Sequence, residues 1–307
     1  MKTDIRLSCL PGGFQILLEV GMYTPLRLMC ILAHPDDESL GVGSTVARYF
    51  AEGIETYLVT ATRGERGWNG LPVEDPGYQG MGKIRTDELD SAARILGIKE
   101  VSFLDYLDGD LDQADSAEVI GKLVTHLRRV RPHVVITFPP DGVYGHPDHI
   151  AISQLATSAV MCAADASFCD TENQDIHLTP KLYYMINTRS QVQYRRKIFG
   201  DLTMPVDGNV RHMVGWEDWA VSAFIDAGQQ WREAYQAIRC HKSQLASYGN
   251  LERLTDEQHH LLWGQRCYYR AFSLVNHGRN QEHDLFEGLR YPAQVYFKKF
   301  AAVEDCR

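Results

Sequence analysis

Two short stretches carry side chains that could do chemistry together. The first is His34-Pro35-Asp36-Asp37-Glu38, the second Tyr144-Gly145-His146-Pro147-Asp148-His149, about 110 residues later. Hydrolytic metal sites take about three ligands from His, Asp and Glu and keep one position for water. His34 and Asp37, three apart in a tight turn, can converge on one ion, and His149 can supply the third ligand. Asp36 would then remain a free carboxylate beside the ion, placed to take a proton from activated water. His146 lies one helical turn before His149 and would reach the same cavity, to donate a proton or stabilise negative charge. The Tyr144 hydroxyl could hold a developing oxyanion. Glu38 reads either as a partner to a ligating imidazole or as a capping carboxylate, and Asp148, at a helix start, as a cap.

Those stretches can meet only if the elements before them end side by side. Each follows an apolar run, Leu26–Leu32 and Val134–Phe138. In an open parallel sheet the carboxyl ends of the strands share one edge, where ligand sites form. The rest of the first half supplies such a sheet. Strands are expected at 26–34, 55–62, 101–104, 133–138 and 181–186, and helices at 41–52, 83–96, 116–129 and 147–161. In the first helix Val42, Val46, Tyr49 and Phe50 should face inward. This alternation, with helix-length connections, predicts a Rossmann-like α/β fold of three layers with a mostly parallel sheet. Arg63–Gly82, with six glycines and two prolines, reads as a long functional loop. Beyond Asn187 an insertion near 188–219 is expected, then an edge strand at 220–225 and a helical C-terminal part, with helices at 229–241 and 255–269. Residues 1–21 read as an N-terminal extension without a secretory pattern, and 22–307 as a single domain.

Bulk properties exclude several classes. The 307 residues carry a net charge of −9, which argues against a nucleic-acid partner. No apolar run approaches the ~18 residues of a spanning helix. Seven cysteines, at 9, 30, 162, 169, 240, 267 and 306, form no C-x-x-C pair. They fit neither a disulfide framework nor a thiolate zinc site, and a reduced, cytoplasmic setting is expected. Asp108-Gly109-Asp110 lacks the register of a calcium loop and reads as an acidic turn. Gly41-Val42-Gly43 lacks the third glycine of a dinucleotide fingerprint, and carboxylates lie where a pyrophosphate would rest. The tryptophans read as packing residues, one of them a candidate sugar platform. His259, His260, His277 and His283 are expected at the surface.

Taken together, A-H-P-D-D-E after the first strand and G-H-P-D-H after the fourth resemble the LmbE/PIG-L family of zinc-dependent N-deacetylases. The match is dense over residues 26–160 and continues at Ala237–Gln244, which is similar to the family's A-x-x-x-H-x-S-Q segment. The resemblance implies zinc ligation by His34, Asp37 and His149, a general base at Asp36, proton transfer by His146, and oxyanion contact by Tyr144. It also implies removal of an acetyl group from an N-acetylglucosamine-type conjugate. Candidate substrate contacts are Arg85, Arg63 and His241, with His241 ordering the rim; Arg85 could instead pair with Asp87 or Glu88. Zn2+ is the expected cofactor, with Fe2+ or another divalent ion compatible with the same ligands. The expected partner is a small amino-sugar conjugate, and a homo-oligomer stays open. Two other readings remain: an amidase of thiol conjugates, and a non-catalytic metal-dependent carbohydrate-binding protein.

Overall fold

A computed structural model describes residues 25–290, apart from 170–171, 250, 276–277 and 279. The 1–21 extension, His277, Cys9 and Cys306 lie outside the described residues. The parallel half alternates β1 (Arg27–Leu32), α1 (Asp37–Ala51), β2 (Glu55–Thr62), α2 (Gly77–Leu96), β3 (Ile98–Tyr106), α3 (Ser116–Val130) and β4 (Val134–Thr137). An irregular turn, α4 (Gly142–Gly145), then leads into α5 (Pro147–Ala163) and β5 (Lys181–Ile186). β4 and β5 are buried at every position, and β1 at all but its first. This is the apolar run expected of parallel strands covered on both faces.

The second half adds α6 (Arg189–Phe199), β6 (Thr203–Val206), β7 (Asn209–His212), β8 (Ala223–Asp226), α7 (Trp231–Ile238), α8 (Asp256–Trp263) and β9 (Gln265–Ser273). The main sheet has the order β3-β2-β1-β4-β5-β9-β8. β1 to β5 are parallel, whereas β9 runs antiparallel between β5 and β8. Strand order reverses between β1 and β4, and a crevice opens outside their carboxyl ends.

Several expected elements change. The helix expected over 255–269 stops at Trp263, and Gln265–Ser273 becomes an interior strand. Its Cys-Tyr-Tyr-Arg-Ala-Phe run suits a pleated surface, and β5 needs a partner on its free edge. α2 begins at Gly77, not Lys83, and its Gly82 packs closely: a Cβ there would lie 3.1 Å from Glu65 Cγ. The 188–219 insertion is ordered: Thr188 and Gln191 form a capping box for α6, and β6–β7 is a hairpin. Phe50, expected inward, is 56% exposed, whereas Val42, Val46 and Tyr49 are buried. His259, expected at the surface, is buried; it stacks on Trp231 and accepts a hydrogen bond from Trp263 Nε1 at 3.2 Å. Trp219 packs in no core; it is 85% exposed.

Candidate active site

The end of β1 and the start of α5 bring two imidazoles together, their rings tilted by 42°. His34 Nδ1 lies 3.2 Å from His149 Nε2. Asp37, the first residue of α1, places its carboxylate oxygens 3.6 Å from His34 Nδ1 and 3.5 Å from His149 Nε2. Ligand atoms around a tetrahedral ion bound at about 2.0–2.1 Å stand about 3.3–3.4 Å apart. The triangle His34–Asp37–His149 has those dimensions, and all three residues are buried.

The outer nitrogens decide which atoms face inward. His149 Nδ1 lies 3.2 Å from the Gly142 carbonyl and donates to it, so Nε2 carries the lone pair. His34 Nε2 lies 3.1 Å from both Asp148 Oδ2 and Asp108 Oδ1 and donates to those carboxylates, so in the neutral ring Nδ1 turns a lone pair inward. Two lone pairs beside a carboxylate call for a cation, and the donor set fits a divalent ion such as zinc. Where no ion is bound, a proton on His34 Nδ1 supplies that positive charge. Burial would lower the His34 pKa, but its bonds to Asp108 and Asp148 outweigh that and push it up to about 10. Burial pushes Asp37 up to about 7 despite the His34 charge. Burial also opposes ionisation of Asp108, yet its bond with His34 holds it at about 2.

Asp148 therefore does not cap α5. His146 is the cap, its Nδ1 accepting from the Asp148 N–H at 3.1 Å. Asp148 is freed to accept from His34 and from the Gly109 and Leu111 amides at 2.7 and 3.1 Å. Asp108, expected only in an acidic turn, follows β3 at the same sheet edge and joins the site.

Asp36 sits beside the triangle with φ 120°, a conformation costly for a residue with a side chain. Its amide donates to Glu38 Oε2 at 2.9 Å, and Glu38 Oε1 pairs with His241 Nε2 at 2.8 Å. Glu38 thus braces the turn and touches no ligating imidazole. His241 is fully buried behind Glu38 rather than at the rim, and contacts no cavity surface. Arg85 is likewise buried; its Nη2 donates to Asp36 Oδ2 at 3.0 Å and to the Pro35 carbonyl, not to Asp87 or Glu88. Tyr248 Oη also donates to Asp36 Oδ2, a partner that nothing in the sequence signals. Both bonds fall on Oδ2; no described residue bonds Oδ1.

A cavity of about 760 Å3 opens over these groups, within the ~300–1,000 Å3 usual for small-molecule sites. His34, Asp36, Asp37, Arg85, Tyr144 and His146 all line it. Because His146 Nδ1 accepts the cap bond, the proton of the neutral ring is on Nε2. Burial and the nearby His34 charge lower its pKa to about 4, keeping that ring neutral. Burial raises the Tyr144 pKa well above the usual phenol value, and its ring packs edge-on against His149. Arg63 does not reach the cavity. Its guanidinium covers Phe103 at 4.0 Å and bonds Asp105 and Thr86, which hold it on the outer side of β3. Trp263 is the one tryptophan lining the cavity among the described residues.

A Rossmann-like sheet with a His–Asp–His cluster at its switch point, a carboxylate beside it and a cavity above fits a class: an α/β hydrolase whose cluster could hold a metal ion. The family model described as GlcNAc-PI de-N-acetylase matches residues 29–160, both motifs included. A 1D-myo-inositol 2-acetamido-2-deoxy-alpha-D-glucopyranoside deacetylase of Streptomyces griseus subsp. griseus is 32% identical over 293 residues, 86% of this chain and 89% of its own. A Rhodococcus erythropolis enzyme of the same name is 36% identical over 189 residues, 54% of this chain and 63% of its own. The N,N'-diacetylchitobiose deacetylase of Pyrococcus horikoshii shares the fold, with a TM-score of 0.55 at 22% identity, over 74% of this chain and 73% of its own. The chain belongs to the PIG-L (LmbE) family and is an N-deacetylase, a hydrolase of N-acetyl amide bonds. Among the described residues no helix is long and apolar enough to cross a membrane.

Proposed function

We propose that this chain removes the acetyl group from an N-acetylglucosamine-type conjugate, with zinc held by His34, Asp37 and His149. The observation that carries the reading is the pair of inward-facing imidazole nitrogens 3.2 Å apart beside Asp37. When bound, the ion supplies Lewis acidity, polarising the acetamide carbonyl and acidifying water. Asp36 Oδ1 takes the proton from the attacking water, while Arg85 and Tyr248 fix the carboxylate through Oδ2. The Tyr144 hydroxyl and His146 Nε2–H donate to the oxygen that becomes anionic. The proton taken by Asp36 passes to the leaving amine, which departs as a neutral amino sugar.

The relatives' printed substrate, an inositol glycoside of N-acetylglucosamine, supports this choice of sugar. The test is acetate release from N-acetylglucosaminyl inositol, with metal content measured alongside. Chelation should abolish release and added zinc should restore it. Release that persists after the protein has lost its metal would sink the metal assignment.

A further inference from the structure

The turn that carries Tyr144 and His146 is strained at one residue. Val143, inside α4, has φ 69° and ψ −54°. That is the rare, strained form of the γ-turn, and a β-branched side chain has no easy place at positive φ. Left free, the backbone would relax, and the groups on either side would move with it. Rotation about φ of Val143 swings the Gly142 carbonyl, which accepts from His149 Nδ1 at 3.2 Å. Rotation about ψ swings Tyr144 and His146, both of which line the cavity.

Such a conformation persists only where its surroundings impose it. Here the segment 211–216, which begins on β7, does so. Asp141 Oδ1 accepts from the Val143 N–H at 2.8 Å, and its Oδ2 accepts from Trp216 Nε1 at 2.8 Å. The Val143 carbonyl accepts from the Val214 N–H at 2.8 Å. Arg211 Nη1 donates to the Gly145 carbonyl at 2.9 Å, and a Cβ on Gly145 would collide with the Arg211 stem. Trp216 is itself fixed. Its N–H donates to the Asn187 carbonyl at 2.9 Å, and its ring packs on Tyr269 with centroids 5.3 Å apart. Neither Arg211 nor Trp216 lines the cavity, and both lie beyond the stretch 29–160 that the family model matches. Packing accounts for the contact of Trp216 with Tyr269, but not for three bonds gathered on one strained turn.

We propose that Arg211 and Trp216 are positioning residues for deacetylation. They clamp Val143 in its strained conformation, so that Tyr144, His146 and the Gly142 carbonyl stay aimed at the site. The proposal rests on the reading that Tyr144 and His146 act in the step, and adds that a hairpin outside the cavity holds them there.

The experiment uses the full chain, with acetate release from N-acetylglucosaminyl inositol measured at saturating zinc. Trp216→Phe keeps a ring on Tyr269 and removes only the N–H that Asp141 accepts. It should lower kcat roughly tenfold or more with KM nearly unchanged, because the contacts it disturbs strengthen in the transition state. Arg211→Gln should lower kcat in the same way. Glycine takes positive φ without steric cost, so in a Val143→Gly background Trp216→Phe should cost less than roughly threefold. Asp141→Asn spoils the same bond and should likewise leave Trp216→Phe little more to remove. Equal losses from Trp216→Phe in all three backgrounds, or a loss confined to KM or Tm, overturn the clamp. A crystal structure of Trp216→Phe reads the turn without reference to rate. Val143 should leave positive φ, and the Gly142 carbonyl should move out of hydrogen-bonding reach of His149 Nδ1. Val143 still near φ 69° in that variant overturns the clamp whatever the activity. A turn that relaxes, while Tyr144→Phe and His146→Gln leave kcat unchanged, keeps the clamp and sinks the roles given to Tyr144 and His146.

Discussion

Asp36 is a strained residue whose one oxygen is held and whose other is free. That arrangement suits a base whose position matters more than its hydrogen bonds. Asp36→Asn keeps an acceptor for Arg85 and Tyr248 but cannot take a proton. Turnover should fall by ~10²–10⁴-fold with metal content unchanged; near-normal acetate release in a metal-replete Asn variant would remove Asp36 from the mechanism. Asp148 offers a different test, because it acts through His34. Asp148→Asn weakens the acceptor at His34 Nε2 and should cost ~10–100-fold in metal affinity, read by competition with a chelator. These two residues also mark what could be read from the chain. His34, Asp37 and His149 were legible because each ends or follows an apolar strand, and strand ends fix where side chains meet. Asp148 was not, since an aspartate after proline at a helix start has the local signature of a cap, and only the fold shows His146 in that role. Tyr248 reaches Asp36 across 212 residues from the end of a short 3-10 turn, Leu245–Tyr248, with no pattern of its own. Arg63 misled because a basic residue at a strand's end suggests a ligand contact, whereas an aromatic neighbour, Phe103, claims it.

At the level of elements, the parallel half was legible almost strand by strand, because β1, β4 and β5 are uniform apolar runs and α1, α2 and α3 each have one apolar face. The second half was not. β9 is half-buried along most of its length, so neither period stands out, and its identity comes from the edge of β5 that it covers. The described residues of the 164–180 connection between α5 and β5 form no helix or strand, and His177 holds them down. The His177 amide donates to the Ala163 carbonyl at 2.9 Å, and its Nε2–H donates to the Pro132 carbonyl at 2.8 Å. Burial lowers the His177 pKa from 6.5 to about 4. Between those values the unfolded chain binds more protons than the folded one, so stability rises with pH across that window. The contribution is complete above pH 6.5 and is lost as pH falls toward 4; it amounts to about 3 kcal/mol at most. His177→Gln should flatten this part of the Tm-against-pH curve while lowering Tm at pH 7. A curve as steep as the wild type's between pH 6.5 and 4 would show that other groups carry the acid limb.

Across the whole molecule, chemistry and stability occupy opposite edges of one sheet. The ligands stand at the carboxyl ends of β1 and β4. At the amino end of β5, Lys181 is fully buried and donates to Glu282 at 2.7 Å, while Arg270 donates to the same oxygen at 3.0 Å and Tyr183 to the other. Lys181 also donates to the Leu285 and Glu287 carbonyls, so the 282–289 segment is bound to the sheet through this cluster. A buried ion pair adds little by itself, but removing one partner strands the other and costs ~3–5 kcal/mol. Glu282→Gln should therefore lower Tm substantially. Lys181→Met combined with Glu282→Gln should cost less than the two single changes summed, because the stranded ammonium is gone. Since the cluster lies at the far end of the strands from His34 and His149, kcat and metal affinity at a temperature where the variant is folded should not change. If activity fell in step with Tm, the sheet would be transmitting the loss of the clamp to the metal ligands, and the two edges would not be independent.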